Sequence, residues 1–250
     1  MNDFVKKRIW VWVLLFIVVG VISTVFFVAR YNRWTYDMLN DNPPVKSLTY
    51  ANEILDQYPT VRFLDLPAEI KQPFYITKYN LQNNISSSKF YLIPRKDLFK
   101  KIFLDIRINE LVTKEQQIQG VWYFQKKQAY LCIDEKLIAS LFLLQEKLVQ
   151  INCDPNALII NSGYRSPNHN QSVGGAPISQ HLFGKAIDLK IGDINQDRRV
   201  NQEDKQIVYK ILNTDIIANK GGLGFYPNTQ ILHMDVRGEH ARWNYYNRKK

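Results

Sequence analysis

Cysteine is nearly absent. The 250-residue chain has two, Cys132 and Cys153, and no C-x-x-C pair, which argues against a zinc site built on thiolates. In an oxidising compartment the two could close one disulfide across the ends of a predicted helix; two buried thiols are the equal alternative. Histidine is also scarce, so any imidazole-based site must draw on His169, His181, His233 and His240. No internal repeat is present. Acidic residues are outnumbered, 23 against 33 lysines and arginines, for a formal charge of +10. That sign favours anionic partners: nucleic acid, acidic lipid or an anionic cell-wall polymer. Charge alone does not choose among them.

What the chain does have is one long apolar run. Residues 9–29 read IWVWVLLFIVVGVISTVFFVA without a charge. At about 1.5 Å per residue, a helix of that length spans a hydrocarbon core of ~30 Å. Lys6, Lys7 and Arg8 precede it and favour a cytoplasmic amino end. The run is long for a signal peptide, and no clear cleavage site follows it. We therefore expect an uncleaved single-pass anchor at 9–29 after a cytoplasmic segment at 1–8, with the remainder across the membrane.

Residues 31–73 read as a juxtamembrane stalk with an NDNPP turn and a short amphipathic piece near 48–58. LQNNISSSK, residues 81–89, reads as a polar loop. FYLIP and GVWYF read as strands. We assign 30–115 to a stalk and middle region whose role the sequence does not show, and 116–250 to a site-bearing domain.

That second part is more legible. Asp134 can cap a helix running to about Gln150, with Leu137, Leu141, Leu144 and Leu148 on one stripe. ALII, residues 157–160, reads as a short buried strand leading into the turn-rich NSGYRSP. KAIDLKI and ILHMDV alternate as strands. The second pushes His233 and Asp235 to one face and Leu232, Met234 and Val236 to the other. If the two strands are neighbours, Asp188, His233 and Asp235 converge, and His181 can join them from the loop that turns at Gly184. Two histidines and a carboxylate suit zinc with one position left open.

Three segments, SGYRSPNHN, VGGAPISQHLFGKAIDL and GGLGFYPNTQILHMDVRGEHARW, together resemble the D-Ala-D-Ala metallopeptidase family, peptidase family M15. Its members are zinc enzymes of bacterial peptidoglycan. The resemblance spans residues 133–243 and leaves out the apolar run and the middle region. It implies zinc ligands at His181, Asp188 and His233, with Ser179, Gly184 and Ala186 in supporting positions and Ser179 near substrate. Arg165 matches the family arginine that steadies a substrate carbonyl or its oxyanion, a task suited to a permanent cation. The resemblance also implies that zinc makes a bound water acidic enough to attack a peptide carbonyl.

One position departs from part of the family. Gln230 stands three residues before His233, where many relatives carry a carboxylate, and an amide cannot act as a base. Asp235 is the best substitute. Its alternative role is to orient a zinc-binding histidine. His169 reads as a loop-shaping residue, and the direction of Glu239 and His240 is open.

Between the two strands lies DINQDRRVNQED, residues 193–204. Asp193, Asn195, Asp197, Asn201 and Asp204 follow the spacing of an EF-hand-like or dockerin-like calcium loop, with Arg199 offering its carbonyl. Arg198 stands where such loops carry glycine. The alternative is a polar turn whose Asp204 caps the next helix.

The expectation is an α+β protein, with a small antiparallel sheet, flanking helices and a zinc groove behind one transmembrane helix. It would be a metallopeptidase, a D,D-carboxypeptidase or murein endopeptidase. It would hold Zn2+, with Ca2+ in the loop at 193–204, and act on peptidoglycan from a bacterial cytoplasmic membrane with its carboxy-terminal domain periplasmic or extracellular. A binding or scaffold domain that retains zinc without hydrolysis is the alternative.

Overall fold

The alternating segments become a five-stranded sheet in the computed structural model, which describes residues 45–75, 79, 81–114 and 128–244. Helices are α1 (Val45–Leu55), α2 (Ala68–Tyr75), α3 (Leu81–Ile85), α4 (Ile108–Leu111), α5 (Glu135–Gln150), α6 (Pro167–Ser172) and α7 (Gln202–Ile211). Strands are β1 (Thr60–Arg62), β2 (Lys89–Pro94), β3 (Lys101–Phe103), β4 (Ile106–Arg107), β5 (Gln128–Cys132), β6 (Leu158–Ser162), β7 (Ala186–Ile191), β8 (Gly222–Phe225), β9 (Ile231–Asp235) and β10 (Ala241–Asn244). The main sheet runs β10-β8-β9-β7-β6; β1-β2-β5 form a three-stranded sheet and β3-β4 a hairpin.

The α+β expectation holds with one difference. The main sheet is mixed, because β10 returns parallel to β8. Antiparallel pairing of β7 with β9 places Asp188 opposite His233, the adjacency on which a shared site depends.

α5 starts where its cap predicts. The Asp134 carboxylate accepts from Lys136 N at 3.0 Å, and Leu137, Leu141, Leu144 and Leu148 are buried. Each such leucine contributes roughly 1.5–3 kcal/mol of transfer free energy. α5 and α7 pack together, and α7 also touches β7 and β9.

The described part of the expected stalk is folded. Ala51, Leu55, Tyr58, Phe63 and Phe74 are buried in the common core, within the compact unit Lys46–Lys250. The expected loop at 81–89 begins with α3, which buries Leu81 and Ile85 one turn apart. Its polar residues conceal a two-residue apolar stripe.

Among the described residues no helix is long and apolar enough to cross a membrane. The expected anchor at 9–29 and the expected strand GVWYF lie outside the described residues. Cys132 and Cys153 are free, and burial pushes the Cys132 thiol up to about 12.

Candidate metal centre

Register builds the site. One row crosses the whole sheet: Ser162 opposite Asp188, Asp188 opposite His233, His233 opposite Gly224, and Gly224 opposite Trp243. Neighbouring strands lie about 4.8 Å apart, so these residues share a face at close quarters. His181 joins from a one-turn 3-10 helix, Gln180–Phe183, that ends at Gly184 with φ of +67°. Only glycine adopts that conformation without cost, and a Cβ there would strike the Cys132 carbonyl.

Three side chains meet. His181 Nε2 lies 3.2 Å from Asp188 Oδ1 and 3.2 Å from His233 Nδ1, and His233 Nδ1 lies 2.9 Å from Asp188 Oδ1. All three residues are buried. The outer nitrogens fix the tautomers. His181 Nδ1 lies 2.7 Å from the Gly163 carbonyl, an acceptor only, so it carries a proton. His233 Nε2 lies 3.1 Å from the Asp235 carboxylate and carries the other. The inner nitrogens then present lone pairs to each other and to a carboxylate oxygen. Three acceptors held this close suit a shared cation.

Zinc fits that geometry. Tetrahedral ligands at about 2.0–2.1 Å from the metal stand roughly 3.3 Å from one another, close to the separations seen here. Among the described residues, His181, Asp188 and His233 form the group of His, Cys, Asp and Glu able to share an ion.

Comparison with known proteins agrees with the site. Residues 125–235 match the model of the Peptidase M15 family. His181, Asp188 and His233 all fall inside the match, which supports a peptidase. The chain is also similar to the probable peptidoglycan L,D-endopeptidase MepK of Haemophilus influenzae, at 28% identity over 109 residues, 42% of this chain and 50% of that protein. The chain thus spans about half the length of this curated relative. No solved structure matches it.

The M15-like region places the remaining expected residues differently from one another. Arg165 reaches the centre: its Nε donates to Ser162 Oγ at 2.8 Å and its Nη2 pairs with Asp188 Oδ2. It therefore orients the carboxylate ligand. Ser179, expected near substrate, caps the turn beneath His181, accepting from His181 N at 3.4 Å.

Asp235 lies behind His233. It is fully buried and sits across the His233 ring from the other ligands. Its oxygens accept from Gly222 N at 3.0 Å and from Arg237 Nε at 2.8 Å and Nη2 at 2.5 Å. Such a carboxylate holds the imidazole and stabilises its Nε2–H tautomer. Small neighbours make room for it: Ala186 and Gly222 flank it in register, and a Cβ on Gly222 would strike its carboxylate.

Electrostatics follow from this packing. Burial raises the Asp188 carboxyl, but His181 and His233 outweigh it and hold the group well below the usual carboxylate range. Asp235 shows the same balance, with His233 and Arg237 outweighing burial. Burial lowers His181 despite Asp188, whereas in His233 two carboxylates overcome burial and raise the group.

The loop at 193–204 does not support a calcium site. Asp204 is fully buried and accepts from Ile194 N at 2.7 Å, Asn195 N at 3.2 Å and Asn201 N at 2.9 Å. It closes a capping box at the start of α7. Asp193 accepts from Asp197 N and Arg198 N, Asn195 from Asp197 N, and Asp197 from Arg199 N. The oxygens satisfy backbone, as the capping alternative requires, and Arg198 takes the sharp turn at φ +68°.

Sequence reasoning missed four contributors: Trp243, Gly224, Arg237 and Thr113. Gly222 and Gly224 alternate on one strand face, and that spacing signals close approach by something bulky. Thr113 belongs to the middle region. Its hydroxyl accepts from Ser166 N at 3.3 Å and lies 3.1 Å from His169 Nδ1, beside the loop that carries Arg165.

Proposed function

We propose that this chain is a zinc metallopeptidase that hydrolyses peptide bonds in the stem peptides or cross-links of peptidoglycan. The carrying observation is the convergence of His181 Nε2, His233 Nδ1 and Asp188 Oδ1 within 3.2 Å of one another, in a region that matches the Peptidase M15 model. The substrate class rests on the relative named as a peptidoglycan L,D-endopeptidase. His181, Asp188 and His233 would hold the ion. Bound zinc supplies a Lewis acid and lowers the pKa of an attacking water. Arg165 holds Asp188, and its permanent cation would steady the substrate carbonyl or its oxyanion. Asp235 and the Gly163 carbonyl keep both imidazoles in the ligating tautomer. The run at 9–29 would tether this domain to the outer face of the cytoplasmic membrane, where its positive charge favours the anionic wall.

The test is digestion of whole peptidoglycan by the purified full-length chain in mild detergent, with fragments identified by mass spectrometry. New free stem-peptide ends that disappear in His181→Ala support the reading. Their absence from zinc-loaded protein opposes it.

A second reading has one observation in its favour. Gln230 replaces the usual carboxylate, and Asp235 is committed behind His233. A zinc-holding domain without a base would bind wall peptides and leave them intact. Retention of the chain on peptidoglycan with no new ends would identify it.

A further inference from the structure

The imidazole of His233 has two ways to lie. Histidine χ2 is broad and roughly two-fold, and a half-turn would replace Nδ1 with a carbon on the side facing His181 and Asp188. Something must select the ligating orientation. Asp235 contributes one hydrogen bond. A further contact reaches it from the far edge of the sheet.

Trp243 lies two strands from His233, on the same register row. The residue between them is Gly224. With no side chain there, the indole leans across the gap until its ring centroid is 5.1 Å from that of His233, at 50°. A Cβ on residue 224 would lie 2.5 Å from Trp243 Nε1 and 2.6 Å from Cε2, so any larger residue expels the ring. The His181 ring stands 5.0 Å from the imidazole, at 68°. Both separations are ordinary for packed aromatic rings.

The contacts also close a circuit. His233 Nε2 donates to Asp235, Asp235 accepts from Arg237, and the Arg237 guanidinium carbon sits 5.5 Å from the Trp243 ring, which returns to His233. A cation over an aromatic face at that distance is attractive. The imidazole is thus held at Nε2 by a carboxylate, with the Trp243 and His181 rings packed beside it.

We propose that Trp243 is a positioning residue for the metal ligand His233, acting through the gap that Gly224 leaves. This rests on the zinc reading above. Two opposite changes should then have one effect: Trp243→Ala empties the gap, Gly224→Ala fills it, and both release the imidazole. Trp243→Phe keeps a ring and should largely rescue.

The experiment uses the full-length chain, stripped of metal, and measures zinc affinity by competition with a chromogenic chelator. Each metal-free variant is also melted, and the cobalt-loaded form is examined for its d–d absorption. Partners of a metal-bound histidine typically change affinity by about 10–100-fold. We expect Trp243→Ala and Gly224→Ala to bind zinc at least ~10-fold more weakly, and Trp243→Phe to stay within about threefold. Both alanine variants should alter the cobalt bands. Leu141→Ala, in the core of α5, should lower the melting temperature and leave zinc affinity unchanged. Folded Gly224→Ala with parental zinc affinity overturns the proposal, whether or not Trp243→Ala folds. A parent chain that takes up no zinc overturns the metal reading and this inference together.

Discussion

Asp235 separates two accounts of the chemistry. As the partner of His233 Nε2 it should govern metal affinity. Asp235→Asn is therefore expected to weaken zinc binding by about 10–100-fold, with activity recovering as zinc is raised. A general base would behave differently: activity would stay lost at saturating zinc while affinity held. His169 gives a second residue-level test. It is 6% exposed, and burial, with Arg165, Lys114 and His181 nearby, lowers its imidazole to about 4. The unfolded chain takes up this proton near its ordinary value of about 6.5 and the folded chain does not. Stability should therefore fall as pH drops from above 6.5 towards 4, by at most about 3 kcal/mol from this group. Denaturant melts of the parent and His169→Gln across that range should differ by up to this amount, with the variant less acid-sensitive. Of these two residues only Asp235 was legible beforehand as a site residue, because strand alternation put it on the His233 face. Which role it plays depends on which imidazole nitrogen faces the other ligands, and no sequence pattern states that.

At the scale of elements, α7 is held at its first turn by two buried charges. Its first turn hangs on Asp204, which satisfies three backbone N–H groups. Asp204→Ala leaves them buried and unpaired, at a cost of about 2–4 kcal/mol. Since those oxygens already serve the backbone, 1 mM calcium should raise the melting temperature by less than about 1 °C, whereas a stabilising site well above its Kd would add kcal/mol. Lys205 is fully buried beside it, donating to the Tyr226 and Thr229 carbonyls at 2.5 and 2.8 Å, with its ammonium 3.9 Å from the Phe225 ring. It ties α7 to the turn between β8 and β9. The sequence showed α5, β7 and β9 plainly, because cap and periodicity agreed. It hid α3, whose apolar stripe is two residues long, and it allowed two uses of Asp204 because a capping box and a cation loop place carboxylates at the same spacing.

At the scale of the molecule, the middle region is part of the site's support. Tyr164 N donates to the Leu111 carbonyl at 2.9 Å, and a Cβ on Gly163 would come within 2.6 Å of that oxygen. Gly163 in turn offers its own carbonyl to His181. Residues 108–114 thus brace the loop that carries both Arg165 and the Gly163 carbonyl that meets His181. A fragment of residues 116–250 is accordingly expected to lose the cooperative melt of the full chain and to bind zinc weakly. A fragment that folds and binds like the parent would show the brace to be dispensable. This dependence was not readable in advance, since it joins segments far apart in sequence through backbone contacts that leave little trace in composition. The mixed sheet is similar: β10 completes the row at Trp243 only because it returns parallel to β8.

The central claim is that His181, Asp188 and His233 hold zinc for hydrolysis of wall peptides. Its most direct test loads the full-length chain with zinc, exposes it to whole peptidoglycan and reads every new free amino and carboxyl end, beside His181→Ala. The account predicts about one zinc per parent chain, new stem-peptide ends, and neither in the variant. One zinc per chain with no new ends, from an intact and folded protein, would contradict it.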